Sequence, residues 1–327
     1  MILSSFPCLG VIVAVLPTPI LALATPTLIF SVPGPAPDSW FENLAVRPNG
    51  KILATRGDAP EIWQVDPATG VGSLLVSVPG AFNLTGIAQV THRAGTHPKP
   101  HGSRNERYVF ASAYIPAPFQ VDPGSARVWT LEFNPAGAPS VSLLAALPQA
   151  GFLNGLASWD SDRVVIGDTV GEAVYLMNAN TGAFTTPLAN MSGINGVQTT
   201  ESHIYWANHN VQSISRIPVN NNAVPTGPAE ILSSNQSVDD FALGVDKVGA
   251  VTKLYIGAMY DNAVVEASLL PSPASRVVAS NLTGTGVGLC AVVVFGRRAM
   301  DKGLLYASVA QGGGSVTASI VSIDPAQ

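Results

Sequence analysis

One short phrase returns six times along the chain. It runs from a polar residue through a glycine or second polar residue and two apolar residues to a turn, then into two further runs rich in Val, Ile, Leu, Tyr and Trp. The copies open at Glu42-Asn-Leu-Ala45, Thr85-Gly-Ile-Ala88, Asn154-Gly-Leu-Ala157, Asn195-Gly-Val-Gln198, Asp239-Asp-Phe-Ala242 and Leu289-Cys-Ala-Val292. Their apolar anchors Leu44, Ile87, Leu156, Val197, Phe241 and Ala291 stand 43, 69, 41, 44 and 50 residues apart. Self-similarity at that period marks a repeat architecture, and three strands per unit with room for a fourth predict an all-β, six-bladed β-propeller. No long helical pattern follows residue 38. The long second interval holds the insert His92–Glu106, rich in His, Gly and Pro, which reads as a surface loop. The stretch Thr27–Val32 can supply the fourth strand of the last blade, closing the ring and removing exposed edges.

Ahead of the repeats, the first charged residue is Asp38, and residues 1–24 form an apolar run ending Ala22-Leu23-Ala24. An apolar run before a small-x-small site predicts a secretory signal peptide over 1–24, cleaved after Ala24. An N-terminal segment, 25–37, then precedes a single propeller over 38–327. Pro17 and Pro19 interrupt the run and count against a stable membrane span. Four sequons, at Asn83, Asn190, Asn235 and Asn281, fit glycosylation of a secreted or secretory-lumen protein. Cys8 would leave with the leader, so Cys290 stands alone, with no disulfide framework and no Cys metal site.

Charged residues make only 11% of the chain, hydrophobic ones 47%, and the net charge is −5. Ample apolar content excludes a mainly disordered chain. The mild acidic balance, without Lys/Arg runs, argues against a nucleic-acid partner.

The first strand of a propeller blade lines the central channel, so the polar residue opening each repeat falls near one mouth. Those residues are Glu42 with Asn43, Thr85, Asn154, Asn195, Asp239 with Asp240, and Cys290. A plainer reading gives Asn-Gly and Asp-Asp only the turn that leads into each strand. Trp40, Trp159, Trp206 and Tyr114 read as core; Trp40 and Trp206, nearest the polar motifs, can instead wall a pocket. Elsewhere the chemistry is thin. His92, His97 and His101 complete no zinc pattern, Gly284-Thr-Gly-Val-Gly288 lacks the Lys-Ser/Thr of a phosphate loop, and there is no G-x-S-x-G.

The motifs Trp40-Phe-Glu-Asn-Leu-Ala-Val-Arg-Pro-Asn-Gly50, Asn154-Gly-Leu-Ala157, Asn195-Gly-Val197, Asp239-Asp-Phe-Ala242 and Cys290 through Phe295-Gly-Arg297 resemble the fungal secreted branch of the SMP-30/gluconolactonase-like propellers. Within that branch the resemblance is to the fungal hetero-Diels–Alderases of tropolonic sesquiterpenoid biosynthesis. It covers residues 38–327, and the opening motif is its most specific part.

The narrower resemblance implies a pericyclase that joins a tropolone quinone methide to a humulene-type alkene, with small apolar substrates and no cofactor. Asn154, Asn195, Asp239 and Asp240 would then act on the reacting groups, and Trp40, Glu42, Asn43, Thr85, Trp206 and Cys290 would contact substrate. The wider family implies an alternative, a metal-dependent lactonase. Glu42, Asn154, Asn195 and Asp239 would hold a Ca²⁺ or Mg²⁺ ion through oxygen alone. The chain departs from the lactonase pattern at two places. Asn-Leu follows Glu42 where lactonases have Gly-Pro. Asp-Phe stands where they have Asp-Gly, so either Asp239 or Asp240 can face the channel. A non-catalytic binding propeller is the third reading. Oligomeric state has no signature in the sequence.

Overall fold

The computed structural model describes residues 23–33, 38–90, 106–115, 120–134, 138–269, 273–280, 289–311 and 317–327. All but the last two residues of the expected leader, the histidines of the insert, the Asn281 sequon and Gly284–Gly288 lie outside the described residues.

Among the described residues, twenty-four strands form six four-stranded antiparallel sheets. The N-terminal strand is β1 (Thr27–Ser31). The first blade is β2 (Phe41–Val46), β3 (Ile52–Arg56), β4 (Glu61–Asp66) and β5 (Val71–Ser77). The second is β6 (Ile87–Gln89), β7 (Glu106–Ser112), β8 (Arg127–Phe133) and β9 (Ser140–Ala146). The third is β10 (Leu153–Ser158), β11 (Arg163–Asp168), β12 (Ala173–Asn178) and β13 (Phe184–Ala189). The fourth is β14 (Ile194–Thr199), β15 (His203–Asn208), β16 (Ser213–Pro218) and β17 (Glu230–Ser234). The fifth is β18 (Phe241–Val245), β19 (Val251–Ala258), β20 (Ala263–Ser268) and β21 (Ala274–Ser280). The sixth joins β22 (Val293–Phe295), β23 (Leu305–Gln311) and β24 (Thr317–Ile323) to β1, which pairs with β24 as its outer strand. The chain's two ends thus close the ring, which is a six-bladed β-propeller. Just ahead of β1, Ala24 is buried and its N–H donates to Val278 O (2.8 Å). Among the described residues no helix is long and apolar enough to cross a membrane.

The core lies between blades rather than within them. Phe41, Leu44, Ile52 and Val65 of the first blade pack against Val292, Tyr306 and Ile320 of the sixth, and Ala157, Val165 and Leu176 of the third against Ile194, Val197 and Trp206 of the fourth. Middle strands are buried on both faces, so they read as continuous apolar runs. Asp168 staples one blade end: it is fully buried and accepts from the N–H groups of Gly151, Phe152 and Gly171 and from Tyr175 Oη.

The Asn-Gly pairs are not turns. Asn154-Gly155 and Asn195-Gly196 lie inside β10 and β14. A Cβ on Gly155 would collide with Val197 N and Asn195 O of the next inner strand, and one on Gly196 with the Asp240 carboxylate. Glycine is needed there for close approach of neighbouring blades. Short backbone hydrogen bonds cross the same gaps, from Gly86 N to Asn154 O (2.9 Å), Gly196 N to Asp239 O (3.1 Å) and Asp240 N to Ala291 O (2.9 Å).

Candidate functional site

Every inner strand starts at the same end of the channel, here termed the upper end, and the ring gathers the repeat-opening residues there. β2 carries Glu42 and Asn43, β14 carries Asn195, and Asp239 and Asp240 directly precede β18. Asn43 Nδ2 donates to Asp240 Oδ2 (2.8 Å), joining the first blade to the fifth and bridging the channel below the mouth. Asp240 also accepts from Phe241 N (2.7 Å). Trp40 Nε1 donates to Glu42 Oε2 (2.9 Å), and Asn195 hydrogen-bonds the Asp239 side chain.

Three carboxyl groups therefore share one partly enclosed place, and all three bind protons more tightly than usual. Burial raises Glu42, and its bond from Trp40 only partly opposes that. Burial raises Asp240 to about 7, against the bonds it accepts from Phe241, Asn43 and Gln198. Asp239 is raised well above its ordinary value by burial and by the charges of Glu42 and Asp240, with Asn195 pulling the other way. Asn43 and Asp240 are buried; Glu42, Asn195 and Asp239 remain partly exposed and can meet a ligand. Of the two aspartates it is thus Asp240 that spans the channel and Asp239 that stays open. Asn195 Oδ1 is buried and has no hydrogen-bond partner.

The structure corrects several expected contacts. Thr85 is 1% exposed, and its hydroxyl donates to Leu153 O (2.8 Å) while its carbonyl accepts from Thr55 Oγ1 (2.7 Å), so it fastens blades and meets no substrate. Cys290 precedes its strand, is fully buried and lies 3.8 Å from Val292 O; burial raises its thiol. Asn154 is buried, and its carbonyl is taken by Gly86 N. Asn83 is 5% exposed, leaving no room for a glycan on the folded chain, whereas Asn190 and Asn235 are exposed. Trp40 is half-buried beside Glu42.

Trp206 walls a pocket of about 310 Å³, not the channel, together with Asn190, Met191, Ser192, Asn208, Asn210 and Val211. The pocket opens on the upper face, since residues 190–193 lead directly into Asn195. Of this group the sequence singled out Trp206 as a wall residue and Asn190 only as a sequon. The pairing of Ile194 with Asn208 brings the two loops together, and no spacing in the chain announces that. Phe82, Val170, Val211 and Tyr260, each more than half exposed, form a broken apolar crown on this face. Phe82 packs against Tyr114 with ring centroids 4.2 Å apart and the rings tilted by 44°.

Among the described residues no cluster of three or more His, Cys, Asp or Glu side chains has metal-holding geometry. The set Glu42, Asn154, Asn195 and Asp239 is instead half amide. It offers oxygen alone, includes the orphaned Asn195 Oδ1, and is of the type a hard cation takes.

In fold, the protein is a six-bladed propeller of the kind seen in the calcium-binding regucalcin of Agrobacterium tumefaciens. The TM-score is 0.62 at 16% identity, over 93% of this chain and 97% of that one. A luciferin-regenerating enzyme superposes with a TM-score of 0.63 at 11% identity, over 92% and 95%. No protein-family model matches the sequence. In sequence the chain is 24% identical over 315 residues to a Phoma sp protein named "Putative hetero-Diels-Alderase", covering 82% of each. A second protein so described, from Sarocladium schorii, is 23% identical over 257 residues, and the alignment spans 64% of this chain and 60% of that protein.

Proposed function

We propose that the chain is a hetero-Diels–Alder-type cyclase that joins an oxygen-bearing heterodiene, a tropolone quinone methide, to a humulene-type alkene at the upper mouth of the channel. The observation that carries this reading is the pairing of Asn195 with Asp239, partly open at the mouth, beside an apolar crown and a 310 Å³ pocket.

Such a cycloaddition uses the four π electrons of O=C–C=C and two of the alkene. It forms one C–O and one C–C bond and gives a dihydropyran. No proton, electron pair or leaving group crosses to the protein, so no nucleophile or base is required. What the protein supplies is proximity and orientation. It can also supply a donor to the diene oxygen, on which negative charge grows in the transition state. A single preorganised donor of that kind contributes roughly 10²–10³ in rate. With its proton affinity raised, Asp239 can donate as a neutral acid, a role that apolar surroundings give to carboxyl groups elsewhere. Trp206, Met191 and Val211 offer an apolar wall for the alkene partner. The likeness to the two named relatives supports the same chemistry.

The unsatisfied Asn195 Oδ1 favours a second reading, a metal-dependent lactonase. Glu42, Asn154, Asn195 and Asp239 would hold a divalent cation, which when bound supplies polarisation of a carbonyl and a more acidic water. The two readings part in one experiment. Purified protein is incubated with a hydroxymethyl tropolone and a humulene alcohol, with and without chelator. The cyclase reading expects a dihydropyran adduct formed at the same rate in both. Hydrolysis of simple lactones that chelator abolishes, with no adduct, overturns it.

A further inference from the structure

We propose that the lower end of the channel, away from the carboxylates, is a separate binding site for one small hydrophobic organic anion. Below the Asn43–Asp240 bridge the channel opens into a cavity of about 230 Å³. Leu44, Ile87 and Leu156 of three inner strands line its walls; Gln198 and Asn43 also face it, and Arg297 stands among its lining residues just beyond the end of β22. A cleft that combines apolar walls with convergent polar groups is the usual form of a small-molecule site. This one faces away from the proposed cyclase site and rests on no part of that reading.

The charge at this end fixes the ligand's sign. Glu106 is the nearby acid, and Arg47 Nε and Nη2 bind its two oxygens (2.9 and 2.8 Å) while Tyr108 Oη donates to it (2.6 Å). Burial works against that ionised carboxylate, but these bonds and the charges of Arg47 and Arg297 hold it below its ordinary range. Arg47 takes both carboxylate oxygens, so Arg297, though near enough to act on that charge, leaves this end with a net positive charge. Its Nη1 is tied to Val46 O (2.9 Å) and Gln89 Oε1, and no acid among the described residues forms an ion pair with it. The remaining guanidinium donors are open to a ligand. A planar fork of this kind suits a carboxylate or enolate. The apolar walls cannot solvate a charge, so the head group belongs at the rim with Arg297 and the hydrocarbon body inside.

The test uses 2-naphthoate as anionic probe and 2-naphthamide as its neutral partner, with binding followed by calorimetry. Naphthoate is expected to bind at least tenfold more tightly than naphthamide. Arg297→Gln should weaken naphthoate about ten- to a hundredfold and leave naphthamide unchanged, the range expected for loss of a charge-assisted contact. Ala45→Leu, which fills the cavity, should abolish both. Melting curves verify that each variant folds. If Arg297→Gln fails to fold, Arg297→Lys with Ala45→Leu decides: retained binding in the first and loss in the second supports the site. Equal affinity for the two probes, binding indifferent to Arg297 or Ala45, or no binding of naphthoate at millimolar concentration overturns it.

Discussion

Asn195→Ala separates function from folding because its two effects on stability oppose each other. The substitution removes a hydrogen bond to Asp239, worth about 0.5–1.5 kcal/mol in an ordinary pair. It also removes the buried Oδ1, whose unsatisfied desolvation costs about 1–3 kcal/mol. The balance runs from about 0.5 kcal/mol destabilising to about 2.5 kcal/mol stabilising. At about 2–4 °C per kcal/mol, the melting temperature should lie between about 2 °C below and about 10 °C above that of the parent protein. Adduct formation should nevertheless fall roughly 10²–10³-fold if Asn195 serves the transition-state oxygen directly or through Asp239. Differential scanning fluorimetry and initial rates by chiral chromatography measure the two quantities on one sample. In the lactonase reading the same variant loses cation affinity, and added cation partly restores its activity. A fall of more than about 5 °C with unchanged turnover per folded molecule would show that Asn195 only shapes the strand, and would refute the assignment.

The remaining predictions concern pH and glycosylation. The folded-state pKa of Asp240, raised from 3.8 to about 7, makes its stability contribution fully present below about pH 4 and lost as pH rises through 7. The span from pH 5 to 8 therefore costs about 2–3 kcal/mol on its account, and Asp240→Asn should flatten the fall in melting temperature over that range. An equally steep profile in the variant would contradict the linkage. Peptide mapping of protein secreted from a glycosylating host should find Asn235 modified and Asn83 bare; a glycan on Asn83 in active protein would contradict its burial. Asn190 lines the pocket beside Trp206, so a glycan there would cover it. Asn190→Gln from such a host should be more active than the parent protein, and a less active variant would count against the pocket.

The ring was legible because inner and middle strands are buried on both faces and keep a fixed distance from their polar openers. The outer strands were not, apart from the Thr27–Val32 stretch that closes the last blade. Val71–Ser77 and Ser140–Ala146 alternate between exposed and half-buried positions and carry Gly, Ser and Leu with no clear period. They owe their existence to pairing with the strand before them, a tertiary effect that overrides weak local preference. Strand starts slipped for a related reason. Asp239, Asp240 and Cys290 have the place in the repeat that Asn154 and Asn195 have, but Asp240 spends its backbone on neighbouring chain, accepting from Gly257 N and donating to Ala291 O, and β18 and β22 begin later. Spacing along the sequence therefore located the mouth but could not tell which side chains the blade interfaces consume. Thr85 was lost to Leu153 O in this way. Trp206 was expected to wall a pocket and does, but the loop residues that complete that pocket and the place of Arg297 went unseen, because each depends on loops that only the closed ring brings together.

The two aspartates show which part of the mouth the fold explains. Asp240 is accounted for by structure: it accepts from Phe241 N and Asn43 Nδ2 and ties the first blade to the fifth. Asp239 has no such duty. Its backbone joins the blade contacts through Gly257 O and Gly196 N, as any residue there would, but its carboxyl group sits among two other acids and holds only Asn195. Crowding acids in this way is unfavourable, and an apolar or amide side chain would relieve it. A sequence that agrees with its fold at nearly every level departs from it where something other than stability is served. The carboxyl group that the fold does not need, next to the amide oxygen the fold leaves unpaired, is the reason the proposed reading puts the chemistry at Asp239 and Asn195.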